Sequence, residues 1–145
     1  MTEVAFHFGA PDKLAYACRL LRKAYGSGAR VVVVAEPDQV LQLDTDLWGV
    51  APADFIPHCC GTAEAAVKER SHVVLVSDTV DYGGTRDVMV NLAESVPVGF
   101  DQFNRLIEVV SMEEADRNQA RQRWKYYTER GYAITRHDLT SARAG

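Results

Sequence analysis

Arg30-Val31-Val32-Val33-Val34-Ala35 carries β-branched residues at four successive positions, with nothing polar on either alternate face. A strand that is half wetted alternates apolar with polar side chains. An unbroken apolar run belongs to a strand covered on both faces, the environment of a parallel sheet between two helical layers. His72-Val73-Val74-Leu75-Val76 repeats that pattern, and three more strands are expected at Val4–Phe8, Val88–Leu92 and Leu106–Val110.

Working outward, helical signals fill the gaps. Asp12 is placed to N-cap a helix whose apolar stripe is Leu14, Cys18, Leu21 and Tyr25, and Gly26-Ser27-Gly28 stops it. Pro37 suits the first turn of the next helix, with Val40, Leu43 and Leu47 on its buried side. A loop or short extended piece over Pro52–Pro57, a short helix near Thr62–Glu69, a loop over Thr79–Arg86 and a helical turn within Pro97–Asn104 are expected next. The last helix spans Met112–Arg130, with its acids early and its bases late, as the helix dipole favours. Gly131 ends it, and Tyr132–Arg136 reads as a closing edge strand. The alternation predicts an α/β, three-layer fold with a largely parallel sheet. A single domain over residues 1–140 is expected, with a frayed tail over 141–145.

At 145 residues and 47% hydrophobic content, the chain can bury a full core without disulfides or metals. Three cysteines, two of them the adjacent Cys59 and Cys60, suit a reducing compartment. With no secretory signal in Met1–Phe6 and no apolar run near the roughly 18 residues that span a bilayer, a cytoplasmic protein away from membranes is expected. The net charge of −4 argues against general nucleic-acid binding. Its distribution is uneven. Glu36–Asp54 holds five acids and no cation, whereas Arg117–Arg136 holds six cations against the single acid Glu129. Two such surfaces suit two different partners.

The most distinctive stretch is Ala120–Tyr132, with four cations and four aromatics. Helical spacing puts Arg121, Trp124, Lys125 and Thr128 on one face. Guanidinium and ammonium groups beside an indole suit a carboxylate attached to something flat and apolar, such as a peptide end. Catalytic patterns are otherwise missing. The first strand-to-helix turn reads Gly9-Ala10-Pro11-Asp12-Lys13, neither a dinucleotide fingerprint nor a P-loop. Asp78 ends a buried strand, but no acidic cluster after the first strand accompanies it to hold Mg²⁺. His58-Cys59-Cys60 lacks the spacing of a zinc or dithiol centre. His7 and His72 read as core or edge residues. No metal or cofactor is expected. Trp48, Phe55, Ile56 and Pro57 form a second feature, an apolar group at a helix end and loop of the kind that marks a protein interface.

Leu43-Asp44-Thr45-Asp46-Leu47-Trp48, then Phe55-Ile56-Pro57-His58, then Arg121-Gln122-Arg123-Trp124-Lys125-Tyr126-Tyr127 with Gly131-Tyr132, occur in an order and spacing that resemble the chi subunit of the bacterial DNA polymerase III holoenzyme. Gly28-Ala29-Arg30-Val31 before the second strand agrees, and the likeness covers nearly the whole chain. It implies a Rossmann-like fold with a degenerate nucleotide-binding region, and a non-catalytic adaptor. It also implies two partners: the acidic C-terminal tail of single-stranded-DNA-binding protein at Arg121, Trp124 and Lys125, and the psi subunit of the clamp loader at Trp48, Phe55, Ile56 and Pro57. Trp124 stands where the family has tyrosine. Two other readings remain open. One is a small α/β nucleotide- or metabolite-binding protein or enzyme, with a pocket near Gly9, Ala35 or Asp78. The other is single-stranded DNA stacking on Trp124, Tyr126 and Tyr127.

Overall fold

The structure is a computed structural model of the chain, and it describes residues 2–48, 57–60, 63, 67, 71–77 and 87–139. In chain order the described elements are β1 (Glu3–Ala10), α1 (Lys13–Gly26), β2 (Val31–Val34), α2 (Pro37–Trp48), β3 (His58–Cys60), β4 (Val73–Val76), β5 (Val88–Asn91), a 3₁₀ turn (Phe100–Gln102), β6 (Arg105–Ser111), α3 (Glu114–Glu129) and β7 (Ile134–Asp138). The strands form one seven-stranded open sheet in the order β3-β4-β2-β5-β6-β1-β7, and every described pairing is parallel.

The valine run of β2 is buried throughout, as its lack of alternation requires. Val31 and Val33 join the cluster under α1 and α2, while Val32 and Val34 join the one under α3. Each such side chain contributes about 1.5–3 kcal/mol relative to an exposed one. Leu21 of α1 and Leu43 and Leu47 of α2 seal the first cluster; Tyr127 of α3 and Phe100 and Phe103 of the 3₁₀ segment seal the second. This is the three-layer α/β arrangement expected.

Local rules account for the element ends. Asp12 accepts a hydrogen bond from the Ala15 N–H at 3.1 Å, capping α1. In β1 the register with β6 shifts between Phe8 and Ala10, where Gly9 adopts φ 82, a bulge that a glycine makes at little cost. One element went unread in sequence: His58–Cys60 is the edge strand β3, paired with Val73–Leu75 of β4. Three residues carry too short a pattern to identify a strand locally. The expected loops over Pro52–Pro57 and Thr79–Arg86, the short helix near Thr62–Glu69 and the tail over 141–145 lie wholly or mainly outside the described residues.

Candidate functional site

The last helix is held to the sheet by a buried polar network. Ala120, Arg123 and Tyr127, spaced three and four apart, are its buried positions. An arginine in such a stripe needs a counter-charge, and β6 supplies one in Glu108, which is fully buried. Arg123 Nε donates to Glu108 Oε1 at 3.0 Å, Tyr127 donates its hydroxyl to Oε2 at 2.5 Å, and Asn91 Nδ2 donates at 3.0 Å. Burial pushes the Glu108 carboxyl upward, with the Arg123 charge opposing it. Arg123 is thus committed to the fold and unavailable to a partner.

Anchored this way, α3 aims its other side at β7. A hollow of about 440 Å³ lies there, floored by Phe6, Phe8 and Val110 and walled by Ala120, Trp124, Arg117, Arg121 and Arg136. Arg117, Arg121 and Trp124 follow one another at spacings of four and three along α3. Arg136 arrives from β7, where pairing sets it opposite Phe6 of β1. Its guanidinium carbon sits 5.0 Å from the Phe8 ring centroid and 5.9 Å from that of Trp124. Trp124 in turn leans on Phe6, ring centroids 5.0 Å apart. Arg121 hydrogen bonds to the Asn118 side chain. Among the described residues none of the three arginines is paired with a carboxylate. Three uncompensated guanidiniums around an aromatic floor suit an anion joined to an apolar side group.

Of the four residues proposed on this helix from sequence, Arg121 and Trp124 line the hollow. Lys125 does not; its side chain is 74% exposed and its ammonium stands 4.0 Å from Glu129. Thr128 does not either, its hydroxyl donating back to the Trp124 carbonyl at 2.9 Å. The hollow adds Phe8, Arg117 and Arg136. Arg117 was detectable, lying one turn before Arg121; Phe8 and Arg136 carry no local signal. Tyr127 is fully buried, so it offers no stacking face to a nucleic-acid base.

For the second surface, Phe55 and Ile56 lie outside the described residues, as does the Trp48 side chain. Pro57 is half-buried, and its carbonyl accepts hydrogen bonds from the His72 and Val73 N–H groups at 2.9 and 3.2 Å. The adjoining His58 is buried, its Nε2 lying 3.1 Å from Asp44 Oδ1, and burial pushes the Cys60 thiol up, away from reactivity. Among the described residues no three His, Cys, Asp or Glu side chains gather as a metal site would need.

At the carboxyl ends of β1 and β6, where an α/β sheet of this kind takes ligands, an open hollow of about 590 Å³ is lined by Asp12, Lys13, Gln39, Ser111, Glu113 and Asp116. Lys13 of α1 pairs with Asp116 of α3 at 3.1 Å, and Asp116 also accepts from the Ser111 N–H at 2.7 Å. Among the described residues the one cation lining this hollow, Lys13, is therefore neutralised by Asp116, and the further acids Asp12 and Glu113 leave the hollow unsuited to a phosphate. Asp78 lies outside the described residues.

The family model described as DNA polymerase III chi subunit, HolC matches residues 1–135. The chain is similar to proteins named DNA polymerase III subunit chi: 33% identical over 88% of this chain and 87% of the one from Pseudomonas aeruginosa, and 26% identical over 85% of each for the one from Haemophilus influenzae. The Escherichia coli protein of that name is 25% identical over 81% of this chain and 79% of its own. Among solved structures, the C-terminal domain of S. cerevisiae Dbp5 in complex with Gle1 and IP6 superposes with TM-score 0.62, covering 94% of this chain and 90% of that one at 15% identity, a likeness of fold alone.

Proposed function

The chain belongs to the family of DNA polymerase III chi subunits, accessory subunits in DNA replication, and we propose that it works there as a non-catalytic adaptor holding two protein partners. At the arginine hollow it binds the acidic C-terminal tail of single-stranded-DNA-binding protein, terminal carboxylate and aspartates toward Arg117, Arg121 and Arg136, terminal phenylalanine ring toward Trp124 and Phe8. The observation that carries this reading is the convergence of three guanidiniums, none paired with a carboxylate among the described residues, on an aromatic-floored hollow. Lys125, outside the lining, adds to the field that steers an acidic peptide rather than to its bound pose. The second partner, a psi-type subunit joining the chain to the clamp loader, is assigned to Trp48, Phe55, Ile56 and Pro57 on the family resemblance.

Calorimetry with Asp-Asp-Asp-Ile-Pro-Phe bearing a free carboxylate tests the first assignment. Binding that weakens with salt and disappears when the phenylalanine is removed is expected. Equal binding of the truncated peptide, or none by folded protein, would reject it.

A further inference from the structure

On the other face of the sheet, a cavity of about 660 Å³ lies between the C-terminal half of α1 and strands β5, β6, β1 and β7. It is separate from the arginine hollow and plays no part in the proposed function. Its floor is aliphatic, built from Leu20 of α1, Val90 of β5 and Ile107 of β6. Three cations stand around it: Arg19 and Lys23, neighbours one turn apart on α1, and Arg105 at the start of β6. Among the described residues none of these three forms an ion pair. Asp138 also lines the cavity and has an interaction of its own.

A second, independent feature lies in the wall. His7 of β1 is only 8% exposed, its Nδ1 is hydrogen-bonded to the Tyr16 hydroxyl, and its Nε2 is buried with no partner. A phenol donates more readily than it accepts, so Tyr16 supplies the proton to Nδ1 and His7 keeps its own hydrogen on Nε2. A buried N–H without an acceptor costs about 1–3 kcal/mol, and such a group needs a reason to persist. The His137 ring, on the exposed edge strand, lies 4.5 Å centroid to centroid from His7 and lines the same cavity.

We propose that this cavity binds a small amphipathic anion, a carboxylate or phosphate on a compact apolar body. The anion sits between Arg19, Lys23 and Arg105 and accepts from His7 Nε2–H, while the body rests on Leu20, Val90 and Ile107. A half-enclosed space of this size suits a small molecule. The excess of cations sets the sign of its charge, and the aliphatic floor favours an anion that carries an apolar body over a bare inorganic ion.

The test is amide and imidazole chemical-shift mapping on the ¹⁵N-labelled full chain, titrated with phenyl phosphate, benzoate and the uncharged benzyl alcohol. The Arg121→Glu variant serves as background, so that binding at the arginine hollow is suppressed. Expected are saturable shifts in Arg19–Ser27, Arg105–Ile107 and the His7 ring for at least one anion, at least about tenfold tighter than for benzyl alcohol, a gap of roughly 1.4 kcal/mol. The better of the two anions identifies the head group. The double variant Lys23→Gln/Arg105→Gln, with an unchanged melting temperature, should lose that preference. Shifts confined to Arg117–Trp124, equal binding of benzyl alcohol, or no saturable shift would each overturn the proposal.

Discussion

Arg123 Nε and Glu108 Oε1 lie 3.0 Å apart with their side chains 2% and 0% exposed, so helix and sheet are joined by an ion pair sealed inside the molecule. Such a pair contributes modestly as a pair, but stranding one member is expensive. Arg123→Met alone should cost about 3–5 kcal/mol in urea denaturation, whereas Arg123→Met with Glu108→Leu should cost markedly less than the sum of the two singles. Additive losses would show that the two side chains are not coupled.

Peptide binding should discriminate among the basic residues of α3. Arg121→Glu and Trp124→Ala are expected to weaken the acidic tail peptide about 10- to 100-fold with the fold retained. Lys125→Glu, directed at a side chain outside the hollow, should act mainly on the association rate and fade with added salt. Arg136→Glu, on β7, should match Arg121→Glu. Surface plasmon resonance at two ionic strengths separates these outcomes.

The Lys13–Asp116 bridge predicts an acid-sensitive link between α1 and α3. Burial alone would raise the Asp116 carboxyl, but the Ser111 N–H and the Lys13 ammonium outweigh it and hold the group below its ordinary 3.8. A depressed acid stabilises the fold above that ordinary, unfolded-state value and loses the contribution as pH falls through the lower folded-state value. Melting curves from pH 6 down to pH 2 should show a steeper loss in the parent chain than in Asp116→Asn, the difference being the share of this one group.

His7 acts over a higher window. Burial, with the charges of His137, Arg105 and Lys23 around it, lowers its pKa from 6.5 to about 4. The neutral form is the one the fold accepts, so its contribution is complete above pH 6.5 and declines as pH falls toward about 4. His7→Phe should remove the slope of stability between those limits. An unchanged slope would point to another group.

Gly131 closes α3 at φ 81, and a Cβ built there meets nothing within 4 Å. Gly131→Ala therefore carries a conformational cost alone, on the order of 1 kcal/mol, measurable as a lower denaturation midpoint with peptide binding intact.

Much of the architecture was legible because its determinants are local. The valine run of β2 declared a strand buried on both faces, the stripe Val40, Leu43 and Leu47 declared a helix, and Asp12, Pro37 and Gly131 declared helix ends. β3 escaped because His58–Cys60 is a strand only through its pairing with β4. On α3, the spacing of Arg121 and Trp124 put both on one side of a cylinder. It equally suggested Lys125 and Thr128, since a stripe one helix wide does not say where the neighbouring strand lies.

Periodicity along the chain thus settles which residues share a face, since a helix or strand repeats within a few residues whatever its surroundings. It does not settle which faces meet. Phe8 and Arg136 stand 128 positions apart in the sequence, and they share a hollow because β1 and β7 pair in register, Phe6 opposite Arg136. Arg121 and Arg123 are indistinguishable as letters two positions apart. One faces the hollow and the other is buried because Glu108, on a strand laid down before α3 begins, offers its charge to only one of them. Those assignments depend on how the sheet closes and how α3 docks on it, long-range packing that no window of sequence contains.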